Sequence, residues 1–145
     1  MCDGAGALVI ASEEAVTKHN LTPLARLVGY AAAGCDPRVM GIGPVPAIHR
    51  LLERSGRKLE AADLVEVNEA FAAQCLAVQK ELAIDPDKLN ACGGAIALGH
   101  PVGASGARIS AHLAHRIHGE SGVKSAIGSA CIGGGQGIAL LLEKA

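Results

Sequence analysis

A histidine between a glycine and a proline has the clearest potential for chemistry in this sequence. His100 follows Gly99 and precedes Pro101 inside the glycine-rich segment 93–106, just ahead of a predicted helix. An imidazole can exchange a proton near neutral pH, and the N–H groups that begin a helix can face a ligand. The segment lacks both the lysine of a phosphate-binding P-loop and the G-x-G-x-x-G dinucleotide fingerprint. His100 is therefore a candidate proton acceptor, and the alternative is a histidine that only occupies a tight turn.

A cysteine at the end of a predicted strand is the second candidate. Cys131 is followed by Ile132 and by three glycines at 133–135. A free thiol near its ordinary pKa of about 8.5 suits proton transfer at carbon. Gly133 has no side chain to keep its backbone N–H from a developing oxyanion. The alternative for Cys131 is a buried thiol beside a hairpin turn.

The third candidate lies in the segment Asn68-Glu69-Ala70-Phe71. This segment follows a short β-rich run, and the ends of strands are where α/β sheets place their ligands. Asn68 is a candidate site residue for that reason. The alternative is an asparagine that only caps the following helix.

The remaining histidines and cysteines favour neither a metal site nor disulfides. Three histidines recur every third residue on a predicted helix: His112, His115 and His118. This spacing rotates them off one face, so we expect a solvated helix surface and no metal. The five cysteines are odd in number and form no C-x-x-C pair, which favours free thiols in a reducing compartment. Structural roles are expected for Cys2, Cys35, Cys75 and Cys92.

Composition excludes several classes of protein. Half of the 145 residues are hydrophobic but only 1% are aromatic, so we expect a core of alanine, valine, leucine and isoleucine. The net charge is -1 and no run of lysine and arginine occurs, which argues against a nucleic-acid partner. No apolar run reaches ~18 residues, so no transmembrane helix is predicted. The 19 glycines exceed the usual share of ~7% and indicate tight turns or backbone close to a ligand.

Hydrophobic periodicity predicts the elements that must position these residues. Strands are predicted at 5–11, 24–30, 64–67, 89–92, 123–131 and 137–142. Helices are predicted after Ser12, from Pro46 to Ser55, along a face with Phe71, Cys75, Val78 and Leu82, and over 105–118. This order predicts a layered α/β fold with a mostly parallel sheet and one antiparallel hairpin, whose glycines allow positive φ. Because the first strand is apolar and expected to be buried, we also expect that residues preceding it have been lost.

Three motifs together resemble those of the thiolases. They are Asn68-Glu69-Ala70-Phe71, Gly99-His100-Pro101 and Cys131-Ile132-Gly133-Gly134-Gly135, in family order and at suitable separations. The resemblance covers essentially the whole chain, since the opening Cys2-Asp3-Gly4-Ala5 is similar to the end of the family's first half. Ser129-Ala130 and Gln136 resemble the degradative, mitochondrial-type 3-ketoacyl-CoA thiolases, which are acetyl-CoA acyltransferases.

The resemblance implies a thiolase-like layered α/β fold. Residues 21–145 would form the C-terminal βαβαβαββ half with a mixed sheet, and residues 1–20 would be the last strand and helix of the N-terminal half. It also implies acyl-CoA and CoA as substrates, no separate cofactor, a homo-oligomer when the enzyme is complete, and a location in the mitochondrial matrix or the bacterial cytoplasm.

The resemblance further implies a role for each candidate residue. His100 would take the proton of a nucleophilic cysteine and help to bind the thioester oxygen, and Asn68 would hold a water that completes that oxyanion site. Cys131 would protonate the departing acetyl-CoA enolate, or remove the α-proton in the reverse condensation. The N–H of Gly133 would join that of the nucleophile in a second oxyanion hole, and Phe71 would line the acyl pocket. None of the five cysteines matches the family's nucleophile, so the chain by itself is expected to be inactive.

Two hypotheses about function follow. The first is the C-terminal half of an acyltransferase that cleaves 3-ketoacyl-CoA to acetyl-CoA and a shortened acyl-CoA, or runs the reverse Claisen condensation. The second is a non-catalytic CoA- or lipid-binding remnant of the thiolase fold. The joint presence of Asn68, His100 and Cys131 favours the first. A ketoacyl synthase would resemble the fold, but a cysteine base after a strand fits thiolases better.

Overall fold

The computed structural model describes residues 2–145 and contains one four-stranded sheet with helices on both faces. The α-helices are α1 (Glu13–Lys18), α2 (Pro44–Ser55), α3 (Ala72–Leu82), α4 (Ala95–Leu98) and α5 (Ser105–Gly119). The strands are β1 (Arg26–Gly34), β2 (Leu64–Val67), β3 (Ser125–Ile132) and β4 (Gln136–Glu143). Short 3-10 helices span Pro37–Ile42 and Leu59–Ala61. Among the described residues, no helix has the length and apolar character needed to cross a membrane.

Local sequence signals set the ends of several helices. The side chain of Ser12 accepts a hydrogen bond from the N–H of Ala15 at 3.2 Å, and the acidic Glu13 and Glu14 occupy the first turn of α1. Both features stabilise the N-terminal end of a helix dipole. Helix α2 ends at Gly56, whose φ of 65° only glycine adopts freely. The predicted start of α1 and the predicted end of α2 are confirmed.

The sheet is mixed, with strand order β1-β4-β3-β2. Strands β2 and β3 are parallel, whereas β4 is antiparallel to both β1 and β3. Strands β1, β2 and β3 therefore run in one direction, but the β3–β4 hairpin inserts a reversed strand between β1 and β3. Two of the three strand pairings are thus antiparallel, so the prediction of a mostly parallel sheet is wrong. The predicted closing hairpin and the predicted mixed sheet are confirmed.

Two predicted strands do not form. Residues 5–11 have no regular secondary structure, and Val9 and Ile10 are 94% and 84% exposed. A strand needs a neighbour to complete its hydrogen bonds, and no strand in the described part of the chain pairs with this segment. The segment 89–92 is reduced to one parallel bridge between Leu89 and Val65, because Asn90 turns the backbone away with a φ of 48°. The prediction of a buried strand at 5–11 is therefore wrong.

The core has two parts, one on each face of the sheet. Because strand side chains alternate between faces, neighbouring residues such as Leu141 and Leu142 belong to different parts. Helices α2 and α3 cover one face with Ile48, Leu51, Cys75, Val78 and Leu82. Helix α5 covers the other face with Ile109, Leu113, Ala114 and Ile117. The buried hydrophobic residues include no aromatic side chain within residues 2–145, as composition predicts.

The carboxyl ends of β1, β2 and β3 meet at one edge of the sheet. Val67, the last residue of β2, pairs with Ser129 of β3, and Ile132 ends β3 at the hairpin. Asn68 and Cys131 therefore both lie at this edge, which is where an α/β sheet presents ligand-binding groups.

Candidate active site

Asn68 is held at the end of β2 by the neighbouring strand. Its N–H donates to the carbonyl of Ser129 at 2.8 Å, and the residue is 1% exposed. Helix α3 begins only at Ala72, after Phe71, so Asn68 is not its N-cap. The alternative that Asn68 only caps the following helix is wrong, because the chain continues for three residues before the helix starts.

His100 contacts Asn68 from a separate segment. It follows α4 and Gly99, whose φ of 96° favours glycine. The His100 Nε2 lies 3.3 Å from the Asn68 Nδ2, and the His100 Nδ1 lies 2.7 Å from the Oγ of Ser105. A side-chain contact thus joins the end of β2 to the loop before α5.

The hydrogen bonds of Ser105 favour one tautomer of a neutral His100 ring. The Ser105 hydroxyl donates its single hydrogen to the carbonyl of Pro101 at 3.1 Å. With its hydrogen placed there, the hydroxyl can only accept from His100, which favours the neutral tautomer with the proton on Nδ1 and the lone pair on Nε2. That lone pair can accept a hydrogen bond from the Asn68 amide, and in the same state it can accept a proton from an acid.

Cys131 and Gly133 lie at the hairpin that ends β3, the strand whose Ser129 holds Asn68. Cys131 is half-buried near the end of β3 and pairs with Gly137 of β4. Gly133 is exposed, and no atom lies within 4 Å of the position that a Cβ would occupy there. Gly134 and Gly135 have φ values of 87° and 85°, which confirms that the hairpin uses glycines for positive φ.

The pKa of the Cys131 thiol departs from that of a free cysteine. Burial raises this pKa, a hydrogen bond from the cysteine's own backbone lowers it in part, and the nearby Cys35 raises it again. The expectation of an ordinary thiol pKa is therefore wrong, because burial of the sulfur disfavours the thiolate. The raised pKa favours the protonated thiol, and with it a role as proton donor.

The predicted apolar face of α3 is correct for three of its four members. Cys75, Val78 and Leu82 are buried against the sheet, whereas Phe71 is 62% exposed. Phe71 precedes the helix with an extended backbone, so its side chain leaves the helical stripe. Its position leaves the ring accessible at the end of the sheet that carries Asn68.

The three helical histidines do not come together. His112 Nε2 lies 3.8 Å from a carboxylate oxygen of the buried Glu66, and His115 and His118 are exposed. No group of three histidine, cysteine or acidic side chains suited to a metal ion occurs in the described part of the chain. Of the four cysteines expected to be structural, Cys75 is buried in the core; all five cysteines are free thiols.

Sequence reasoning missed three residues of this site. Ser105 orients His100, and Glu69 and Asn90 hydrogen-bond each other at 3.1 Å beside Asn68. Ser105 lies within the glycine-rich segment and Glu69 adjoins Asn68, so their positions within the motifs were the only available signal. Asn90 carried no local signal, because its partners are distant in sequence.

The family description that matches this chain is "Thiolase, C-terminal domain", over residues 21–144. The chain belongs to the thiolase family. This thiolase domain is 64% identical over 141 residues to the mitochondrial 3-ketoacyl-CoA thiolase of Mus musculus, covering 97% of this chain and 35% of the relative. It is 53% identical over 144 residues to the beta-ketoadipyl-CoA thiolase of Pseudomonas aeruginosa, covering 98% of this chain and 36% of the relative.

Solved thiolase structures share the fold of this domain. The crystal structure of human mitochondrial 3-ketoacyl-CoA thiolase matches with a TM-score of 0.90 and 61% identity, and one such structure is a complex with CoA. The match covers 93% of this chain and 34% of the human chain. A Bacillus anthracis acetyl-CoA acetyltransferase matches with a TM-score of 0.89 and 52% identity, over 92% of this chain and 34% of that one. The thiolase domain thus spans about a third of the length of its relatives, and it is the C-terminal part of the thiolase architecture.

Proposed function

We propose that this domain supplies the proton-transfer half of the catalytic site of a 3-ketoacyl-CoA thiolase, with 3-ketoacyl-CoA and CoA as substrates. The observation that carries the proposal is the hydrogen-bonded series Asn68, His100 and Ser105, formed at the sheet edge where Cys131 lies near the end of β3. The similarity to mitochondrial 3-ketoacyl-CoA thiolases supports the substrate class.

The first step is the activation of a nucleophilic cysteine, contributed by the part of the enzyme that this domain does not contain. His100 Nε2 takes the proton of that thiol, and the thiolate attacks the ketone carbon of the substrate. The bond between the ketone carbon and the α-carbon then breaks. An acyl thioester remains on the nucleophile, and acetyl-CoA leaves as its enolate. The lone pair that Ser105 assigns to Nε2 supports this role for His100.

The enolate oxygen requires donors that are already in place. Protonated Nε2 of His100 is one donor, and a water held by Asn68 would be the other. The Asn68 Oδ1 is buried and accepts no hydrogen bond from the described protein groups. A buried acceptor of this kind is stabilised by a water whose second hydrogen can point to the enolate.

Cys131 would then deliver a proton from its sulfur to the enolate carbon. The raised pKa of its thiol keeps that proton available at neutral pH. The Cys131 thiolate next takes the proton of the CoA thiol, and the CoA sulfur attacks the acyl thioester. The bond from the acyl carbon to the nucleophilic cysteine breaks, the shortened acyl-CoA leaves, and His100 returns the proton to that cysteine. Gly133 is exposed and carries no side chain that would cover its backbone, so its N–H would serve the oxyanion of this second step. The exposed ring of Phe71 is available to line the acyl chain.

The partners of the domain follow from the same proposal. Large apolar side chains are exposed at and near the site, including Phe71, Leu76, Ile96, Leu98 and Val102. We assign this surface to contacts with the other thiolase half, in a complete enzyme that is a homo-oligomer. The mitochondrial matrix or the bacterial cytoplasm is the proposed location, because the relatives include mitochondrial and bacterial thiolases.

The test uses a complete enzyme, defined as this domain joined to the other two thirds of the human relative. In it, Cys131→Ala should slow the exchange of acetyl-CoA methyl protons with solvent at least ~10²-fold more than it slows acyl transfer to the nucleophile. Cys92→Ala is the matched control, because Cys92 is an exposed thiol. Equal losses in the two assays would show that Cys131 is only structural.

A second test uses the 145-residue chain alone with acetoacetyl-CoA. We expect no acyl adduct by intact mass and no CoA-dependent turnover. An adduct on one of the five cysteines together with thiolysis would contradict the assignment of the nucleophile to the other half. Tight CoA binding without an adduct, combined with an inactive complete enzyme, would instead favour the non-catalytic remnant.

A further inference from the structure

The side chain of Asn90 continues a parallel ladder beside β2. Val65 donates its N–H to the carbonyl of Lys88 at 3.0 Å and accepts from the N–H of Asn90 at 2.9 Å. The backbone then turns away at Asn90, in the left-handed region. Its side-chain amide makes the next two bonds, accepting from the N–H of Val67 at 3.0 Å and donating to the carbonyl of Val67 at 3.0 Å. The amide thus replaces a strand residue immediately before Asn68.

The carboxylate of Glu69 joins this amide to the segment that leads to His100. One oxygen of Glu69 accepts from the Nδ2 of Asn90 at 3.1 Å, and the other accepts from the N–H of Ile96 in α4 at 2.9 Å. The carboxylate lies so close to Gly94 that a Cβ at that position would overlap it. A single side chain therefore connects the end of β2 with the helix that precedes His100.

The contact between Asn68 and His100 depends on how these two segments are tied together. The two residues are 32 positions apart, and their side-chain nitrogens lie 3.3 Å from each other. Asn68 is fixed to β3 through its own N–H, whereas His100 follows a four-residue helix and a glycine. Small movements of that helix would change the distance between Asn68 and His100 directly, and catalytic geometry tolerates little misplacement.

We propose that Glu69 and Asn90 are positioning residues, a carboxylate–amide clamp that sets the distance between Asn68 and His100. The inference rests on the proposed function of that pair. Each oxygen of Glu69 already accepts from an N–H donor of the protein, which favours a role through Asn68 and His100 over a direct contact with substrate.

Glu69→Gln in the complete enzyme tests the clamp. Glutamine keeps the shape but has one acceptor oxygen for two donors, so an amide N–H must face one of them. We expect kcat to fall ~10-fold or more while KM for the acyl-CoA changes less than about 2-fold, because the clamp acts on the reacting groups and not on substrate binding. Glu81→Gln, an exposed change on α3, should leave both parameters unchanged.

A double-mutant cycle with Asn68→Ala separates positioning from general stability. If the clamp acts through the Asn68–His100 contact, Glu69→Gln should have little further effect once Asn68 is alanine. Additive losses, or a kcat of Glu69→Gln within about 2-fold of wild type, would overturn the clamp. An Asn68→Ala enzyme with normal turnover would instead overturn the proposed function. If Glu69→Gln does not fold, Glu69→Asp, which is one methylene too short to reach both donors, completes the same cycle.

Discussion

Removal of the Ser105 hydroxyl should impair catalysis without a direct contact to substrate. Ser105 is 4% exposed, accepts from His100 Nδ1 at 2.7 Å and donates to Pro101 at 3.1 Å. Ser105→Ala leaves the Nδ1–H without an acceptor. The ring then loses its preference for the tautomer whose lone pair is on Nε2, and the competing tautomer presents an N–H to the Asn68 amide.

The size of the effect follows from the cost of an unsatisfied buried donor. That cost is about 1–3 kcal/mol. A change of about 1.36 kcal/mol in the activation free energy corresponds to a tenfold change in rate. If the whole cost is added to the activation free energy, kcat falls between roughly 5-fold and 150-fold. KM for the acyl-CoA should change little, because the hydroxyl of Ser105 hydrogen-bonds His100 and the carbonyl of Pro101.

The assay is steady-state thiolysis in the complete enzyme, with the rate of acyl transfer to the nucleophile measured separately. Ser110→Ala is the matched control, because Ser110 lies in the same helix and bonds only the carbonyl of Gly106, at 2.8 Å. The long-range ¹H–¹⁵N spectrum of His100 reports the tautomer directly. A kcat of Ser105→Ala within about 2-fold of the Ser110→Ala value would refute the reasoning.

Three further predictions concern catalysis, packing and pH. His100→Ala should lower kcat ~10²-fold or more in the complete enzyme, since it removes a base and an oxyanion donor, and near-normal turnover would reduce His100 to a turn residue. Gly137→Ala should destabilise the fold by ~3 kcal/mol or more in urea unfolding, because the new Cβ would overlap the carbonyl of Gly43. Gly106→Ala is its control and should stabilise α5 by up to about 1 kcal/mol, since no atom lies within 4 Å of the added carbon. Burial raises the pKa of the Cys75 thiol, and the negative charge of Glu69 raises it further. A hydrogen bond from Asn90 lowers this pKa by a smaller amount. The protonated Cys75 thiol therefore contributes its full share of stability below the ordinary thiol pKa of about 8.5, and this share is lost as pH rises through the raised pKa of the folded protein. Cys75→Ala should therefore reduce the decrease of the urea unfolding midpoint at alkaline pH.

Features with a local cause could be predicted from the sequence. The cap at Ser12, the end of α2 at Gly56 and the glycine hairpin after Cys131 each follow from the backbone preferences of a few adjacent residues. The three motifs likewise indicated the family, because asparagine, histidine and cysteine in these contexts are rarely found together by chance.

Features that need a distant partner could not be predicted in this way. Residues 5–11 are apolar enough for a buried strand, but no strand in the described chain pairs with them, and they remain exposed. Leu89 forms only one bridge, because the side chain of Asn90 replaces the rest of the expected strand. The prediction of a mostly parallel sheet failed for a similar reason, since local periodicity carries no information about where a hairpin strand will insert.

The sequence by itself determined which chemical groups this protein carries and where the backbone can turn. It placed an asparagine after a strand, a histidine after a glycine and a cysteine before a hairpin. The tertiary structure decided which of these groups touch. Sheet pairing fixes Asn68 against Ser129, and the path of the chain around α4 brings His100 to Asn68 and Ser105. These contacts favour one tautomer of His100, and burial raises the pKa of the Cys131 thiol. Hydrogen-bond partners and exclusion of water both arise only in the folded chain.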